Sequence, residues 1–593
     1  MDLIEQATRY MFFTGKGGVG KTSVSCAIAI ALADRGKQVL LVSTDPASNL
    51  DEVLQVQIGQ IPTAIPTVNG LFALNIDPEA AACAYRERLV GPYRNLLPEA
   101  TVKSMEEQLS GSCTTEIAAF DEFAKLIGNS EVTAQFDHVI FDTAPTGHTM
   151  RLLSLPESWS TFIKENTTGM SCLGPLSGLS QQQEIYVSAV QSLKDPIRTT
   201  LVLVARPEKT ALREAAKTSA DLRDIGVSNQ CLVVNGVFKA QSSSDEIATA
   251  FEARANSAMS AIPPELSSLP LQKVFLSPNA LIGIEALRGV FREAKMSSAA
   301  PSPAVSAKDL PQALGKLVDE LEKSGPGVIM TMGKGGVGKT SVAAAVAVEL
   351  ARRGHNVHLS TTDPAAHVSW VIEAPIPLLT VSRIDPEEET KAYQEEVMQG
   401  AGAGLDEHGK ALLEEDLRSP CTEEVAVFRS FAKIVAQGEH GFVVLDTAPT
   451  GHTILLLDAA QAYHREVLRQ SSNMPESVLM LLPRLRDPNF THVLIVTLPE
   501  ATPVHEAKRL QDDLMRAGIT PFAWVINQSL SLVTTKDPVL LSRRANELKY
   551  IEEVSQHLAK RVAIVPWLKK PPTGSIGLLT MLAETNQLAP LKK

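Results

Sequence analysis

A glycine-rich string that occurs twice restricts the fold of this chain more than any other feature. Gly15-Lys16-Gly17-Gly18-Val19-Gly20-Lys21-Thr22-Ser23 returns as Gly333-Lys334-Gly335-Gly336-Val337-Gly338-Lys339-Thr340-Ser341. Both copies fit G-x-x-x-x-G-K-[ST], the pattern of a phosphate-binding loop. Its glycines let backbone N–H groups turn inward around phosphate oxygens, where a side chain would collide. Lys21 and Lys339 are then placed to reach the β- and γ-phosphates of a bound nucleotide, and Thr22 and Thr340 to hold Mg²⁺. Apolar residues precede each loop at 10–13 and 328–330, and helix-forming runs follow at 24–34 and 342–352. A strand, a loop and a helix in that order put a helix N-terminus at the phosphates. A glycine-rich surface turn would account for one copy, but not for two in the same context.

The chain has 593 residues, 44% of them hydrophobic and 21% charged, which is a globular composition with room for several cores. The loop and the strings behind it repeat in order. This predicts an α/β fold built as a tandem, pseudo-twofold pair of P-loop domains, with mostly parallel sheets flanked by helices and with helical inserts. Composition divides the chain into a first half over 1–295, a connector over 296–326 and a second half over 327–593. The connector opens with an extended Ser/Ala/Pro stretch and carries a short helical pattern at 310–323. Two units in one chain predict a monomer with an internal pseudo-dimer. The formal net charge of −12 argues against sequence-independent nucleic-acid binding. The N-terminus lacks a secretory pattern, and no apolar run reaches the ~18 residues of a membrane span. A cytoplasmic protein is expected, with any membrane role supplied by a partner.

Behind each loop an apolar run ends in an aspartate, Asp45 in Thr44-Asp45-Pro46 and Asp363 in Thr362-Asp363-Pro364. The carboxyl end of a buried parallel strand is where ligands gather, although Asp-Pro is also a common turn starter. A further pair of runs ends in Asp142-Thr143-Ala144-Pro145-Thr146-Gly147-His148 and Asp446-Thr447-Ala448-Pro449-Thr450-Gly451-His452. A strand closing on an aspartate suits a carboxylate tied to Mg²⁺. His148 lies directly downstream of the first of these segments, which favours a signalling or ligand role over simple packing. The last strands of each half end at Asn235 and Asn527, and Asn235-Gly236 is also a turn-forming pair.

Six cysteines in so long a chain do not make a disulfide scaffold. Cys113 and Cys421 stand at equivalent places, each opening a helical run where thiolate is favoured. Cys172 lies in a Gly/Ser/Thr/Pro-rich stretch and has no counterpart near 472–474. If the halves face each other about a pseudo-twofold axis, Cys113 and Cys421 can meet across it, and Cys172 adds a thiolate from one side. Three thiolates suit trivalent arsenic or antimony better than Zn²⁺, which takes four ligands at closed sites. Three unrelated thiols are the other reading. Cys26 and Cys231 read as buried core thiols; Cys83, in a polar helical stretch, is assigned no role.

The doubled loop with its extra early lysine, the doubled D-T-A-P-T-G-H string, the connector and the cysteine trio together resemble the ArsA family of deviant P-loop ATPases over essentially the whole chain. The resemblance implies hydrolysis of ATP with Mg²⁺, activated by As(III) or Sb(III) as arsenite or antimonite. It implies that Lys16 and Lys334 reach across an interface into the opposite half's nucleotide, and that Asp45 and Asp363 orient or deprotonate the attacking water. Mg²⁺ would be held by Thr22, Asp45 and Asp142 and by Thr340, Asp363 and Asp446. Asn235 and Asn527 would contact adenine. The metalloid region would comprise Cys113, Cys172 and Cys421, with His148, His452 and Ser419. Implied partners are a membrane arsenite-translocating subunit, which would hold the chain peripherally at the inner membrane, and an arsenic metallochaperone. The main rival is an ATP-dependent targeting factor for tail-anchored membrane proteins. Such factors use a C-x-x-C at the seam of a dimer of single units, whereas this chain has no C-x-x-C and carries both units itself. A membrane-surface scaffold would need a basic amphipathic tail, and residues 575–593 lack a basic face.

Overall fold

A computed structural model describes residues 3–45, 50–109, 112–128, 131–143, 170–171, 174–175, 183–291, 310–362, 372, 374–417, 420–447 and 475–583. The chain divides into two units. Unit 1 comprises Met1–Ala300 with Lys536–Val539, and unit 2 comprises Pro301–Thr535 with Leu540–Lys593.

In unit 1 the run Tyr-Met-Phe-Phe-Thr forms β1 (Tyr10–Thr14), buried at every residue, as a strand covered on both faces must be. It is followed by β2 (Val39–Ser43), β3 (Thr63–Ala64), β4 (Leu71–Asn75) and β5 (His138–Asp142). A short antiparallel ribbon pairs β6 (Met170–Ser171) with β7 (Gly174–Pro175). The unit closes with β8 (Thr199–Ala205), β9 (Gln230–Val237) and β10 (Leu271–Phe275). Among the described residues the sheet runs β10-β9-β8-β1-β5-β2-β4-β3, parallel throughout except for the β3 edge. One apolar core lies on each face. One gathers Phe12, Phe120, Phe123 and Phe141; the other gathers Phe13, Ile28, Leu41 and Val233.

Unit 2 repeats the plan with β11 (Gln312–Ala313), β12 (Gly327–Met332), β13 (Val357–Thr361), β14 (Leu379–Arg383), β15 (Phe442–Asp446), β16 (Thr491–Thr497), β17 (Ala523–Ser529) and β18 (Val562–Pro566). The order is β11-β18-β17-β16-β12-β15-β13-β14. From β18 to β14 each strand takes the place of its counterpart in unit 1; among the described residues the orders of the two large sheets differ only in which edge carries the short extra strand. The α/β expectation of paired, mostly parallel sheets therefore holds.

The helical pattern expected at 310–323 forms the helix Leu314–Ser324, and it does more than connect. Leu314, Leu317, Val318 and Leu321 recur at helical spacing and are buried in the core under the unit 2 sheet. Gln312 and Ala313 pair with Ala563 and Ile564 of β18. The stretch assigned to the connector over 296–326 thus contributes its C-terminal part to unit 2. The reason is physical: a four-residue apolar stripe on a helix is stable only against another apolar surface.

Candidate nucleotide site

The central strands β1 and β12 each have a neighbour from a later crossover on either side, which opens a crevice at their carboxyl ends. Both phosphate loops leave from these ends and run into the helices Lys21–Ala33 and Lys339–Arg352. The helices begin earlier than the apolar pattern suggested, at the second lysine of each loop. Gly20 and Gly338 cap them at φ 89° and 93°. A Cβ on either would overlap the side-chain amide of Asn235 or Asn527. Those amides donate to the Val19 and Val337 carbonyl oxygens, both at 2.8 Å. The two buried asparagines at the ends of β9 and β17 therefore brace the middle of each loop.

Lys21 and Lys339 are buried. The Lys339 ammonium donates to the Gly333 carbonyl at 3.0 Å and the Lys334 carbonyl at 3.2 Å, folded onto the rim of its own loop. The early lysines are also held at home. Lys16 forms an ion pair with Glu214, and Lys334 with Glu506. These glutamates lie on equivalent helices, Lys209–Asp224 and Ala501–Arg516, that follow β8 and β16. Sequence reasoning missed both. The signal available was the Glu-Ala pair at 214–215, repeated at 506–507.

Thr22 Oγ1 donates to Asp142 Oδ2 at 2.7 Å, and Thr340 Oγ1 donates to Asp446 Oδ2 at 2.7 Å. A hydroxyl and a carboxylate at this spacing beside a phosphate loop are the hard oxygen donors that Mg²⁺ takes, so these residues fit the ion. Two further threonines, unremarked in the sequence, fix the carboxylates in place. Thr143 Oγ1 donates to the Phe13 carbonyl at 2.8 Å, and Thr447 Oγ1 to the Thr331 carbonyl at 2.9 Å. Each ties the end of the aspartate strand to the strand that leads into the loop.

Asp45 follows β2 and is half-buried, its N–H donating to Ser43 Oγ at 3.3 Å. Asp363, His148, His452, Cys172 and Ser419 lie outside the described residues. Cys113 and Cys421 are each the second residue of their helices, Ser112–Gly128 and Pro420–Ala436, which matches their equivalence in sequence. Cys26 and Cys231 are buried and Cys83 is exposed. Burial pushes the Cys26 thiol well up, helped by the Asp142 carboxylate, and pushes Cys231 up to about 12. Both behave as core thiols.

A further buried carboxylate of unit 2 lies behind the loop. Glu547, on the helix Pro538–Glu553, is nearly closed to solvent behind the turn that follows Asn527. Burial pushes its carboxyl up to about 7, against the pull of Ser529, Arg543, Leu530 and Ser531.

A family model described as anion-transporting ATPase matches residues 8–293, 327–474 and 455–585. An arsenical pump-driving ATPase of Acidiphilium multivorum is 51% identical over 577 residues, covering 97% of this chain and 98% of its own. An arsenical pump-driving ATPase of Escherichia coli is 52% identical over 576 residues with the same coverage. The ATPase GET3 of Kluyveromyces lactis is 34% identical over 264 residues, 40% of this chain and 75% of its own. With both phosphate loops, both threonine–aspartate pairs and nearly the full length matched, this chain belongs to the ArsA family of anion-transporting ATPases.

Proposed function

We propose that this chain hydrolyses ATP to drive the export of arsenicals through a membrane partner, and that trivalent arsenic or antimony is both its activator and its cargo. The observation that carries this reading is identity of about one half, over nearly the whole length, to two arsenical pump-driving ATPases. The ATPase GET3 of Kluyveromyces lactis, by contrast, is matched over 40% of the chain. No described helix is long and apolar enough to cross a membrane.

In this mechanism the loop N–H groups and Lys21 or Lys339 hold the triphosphate. Thr22 with Asp142, and Thr340 with Asp446, hold Mg²⁺, which would neutralise charge on the β- and γ-phosphate oxygens when bound. Asp45 and Asp363 orient the attacking water. Lys16 and Lys334 leave Glu214 and Glu506 to complete the opposite half's site, so that hydrolysis waits on closure of the halves. Cys113 and Cys421, with Cys172, bind the metalloid as thiolates, and His148, His452 and Ser419 border it. A bridging ligand would have to supply roughly 5.5 kcal/mol of differential binding to take closure from 1% to 99%. An arsenic metallochaperone delivers the ion, and the chain works at the cytoplasmic face of the inner membrane.

The test is the steady-state ATPase rate of the full-length protein with and without antimonite. Stimulation of tenfold or more is expected. A rate indifferent to both antimonite and arsenite would refute the reading.

A further inference from the structure

The two halves differ behind the asparagine that braces each phosphate loop. In unit 2, Asn527 is followed by Gln528, whose N–H donates to Asn527 Oδ1 at 2.9 Å. Gln528 is left-handed at φ 58°, one of three such non-glycine residues among those described. Contact between Cβ and the neighbouring carbonyl disfavours that conformation. The chain then turns through the short helix Leu530–Leu532. Four donors in this turn converge on a single oxygen, Oε2 of Glu547: Ser529 Oγ at 2.9 Å, Leu530 N at 2.8 Å, Ser531 N at 3.1 Å and Ser531 Oγ at 3.2 Å. Glu547 itself is 7% exposed.

Unit 1 is built otherwise. The residue after Asn235 is Gly236, left-handed at φ 88°, where glycine meets no such clash. Ala255 and Glu547 each stand twenty residues beyond their asparagines, on the equivalent helices Glu246–Met259 and Pro538–Glu553. The glycine turn thus goes with alanine and the glutamine turn with glutamate. The space above the turns also differs. A Cβ on Gly236 would lie 2.9 Å from Arg206 Nη1, whereas the exposed Gln528 puts its amide nitrogen 3.9 Å from the Cβ position of Gly338, on the second phosphate loop.

We propose that Glu547 is a positioning residue for the second nucleotide site: its carboxylate holds the Gln528–Ser531 turn in a shape that glycine takes unaided in the first half, and so sets Asn527 against the phosphate loop and aims the Gln528 amide at the bound nucleotide. The proposal rests on reading that loop as a nucleotide site. Glu547 touches no reacting atom; it acts through Asn527 and Gln528. Losing it frees the turn to relax from the left-handed form, which draws Asn527 off the Val337 carbonyl.

Hydrogen exchange on the full-length chain, titrated with a non-hydrolysable ATP analogue and Mg²⁺, reads each loop separately. Peptides covering 333–341 report the second site and those covering 15–23 the first. In Glu547→Ala the half-saturating nucleotide for the second loop is expected to rise about tenfold, with the first loop unchanged within twofold. Glu547→Gln keeps an acceptor oxygen and is expected to stay within threefold of the wild type. Adding Gln528→Gly to Glu547→Ala is expected to restore most of the lost affinity, since glycine needs no carboxylate to hold the turn. A shift shared by both loops, or no recovery in the double variant, would overturn the proposal. A wild type whose loops gain no protection from nucleotide would instead refute the nucleotide-site reading beneath it.

Discussion

Replacing Glu506 with glutamine separates two duties that an early phosphate-loop lysine can have. In the structure Lys334 is paired with Glu506, and their side chains are 23% and 7% exposed. The matching pair in unit 1, Lys16 with Glu214, is more open, at 34% and 16%. Two unit charges about 4 Å apart at an effective dielectric near 20 attract by about 4 kcal/mol, much of it offset by the cost of drying both groups. The remainder is about 2 kcal/mol for the enclosed pair, and about 1 kcal/mol for the open one, near the top of the range for exposed pairs. A triphosphate that draws on these lysines has to compete with the glutamates. Glu506→Gln is therefore expected to tighten ATP binding at the site Lys334 serves by about thirtyfold, and Glu214→Gln by about fivefold, at 1.4 kcal/mol per decade. The same changes leave a lysine uncompensated, so thermal unfolding is expected to fall by a few degrees, more for Glu506→Gln. Equilibrium binding of a labelled ATP analogue and a thermal melt measure the two effects. If ATP binding weakens in both variants, the glutamates aim the lysines at nucleotide rather than withhold them, and the competition is refuted.

Two further changes bear on the loop and its support. Gly338→Ala forces a side chain into φ 93° and against the Asn527 amide, at about 2–3 kcal/mol for the strained backbone and the lost hydrogen bond together. Denaturant unfolding of unit 2 should shift to match, and an unchanged midpoint would show that the asparagine does not brace the loop. The Glu547 carboxyl lies at about 7 in the folded chain against an ordinary 4.5, so the folded state binds that proton more tightly than the unfolded state between these values. Its contribution to stability falls as pH rises through that window and levels off above it, by about 3 kcal/mol in all. Glu547→Gln should then be the more stable protein at pH 8 and equal to wild type near pH 4. A wild type that gains on the glutamine variant as pH rises would reverse the sign.

Most of the fold was legible because the strands are buried on both faces and so read as unbroken apolar runs. The runs ending in Asp142 and Asp446 are strands to their last residue, while the runs read as ending in Asp45 and Asp363 form strands that stop earlier, at Ser43 and Thr361. The threonine–aspartate pairs were legible for a different reason: the motif fixes their roles before any contact is seen. What escaped depends on contacts distant in sequence. Glu214 and Glu506 look like any glutamate on a helix, and only their recurrence beside the same alanine hints at a shared task. Glu547 could not be found, because nothing local separates a glutamate bound for the interior from one facing water. The left-handed Gln528 was hidden for the same reason, since the turn at 235–236 carries the glycine that signals it and the turn at 527–528 does not. The edge strand Gln312–Ala313 escaped because two residues have no periodicity.

The proposed coupling of a metalloid to ATP turnover is tested most directly by the antimonite-stimulated ATPase rate of Cys113→Ser set beside that of Cys83→Ser. Cys83 is exposed and serves as the control thiol, so its variant should keep the wild-type stimulation. Cys113→Ser should keep the unstimulated rate and lose at least nine-tenths of the stimulation. Full stimulation in the Cys113 variant would contradict a thiolate bridge between the halves.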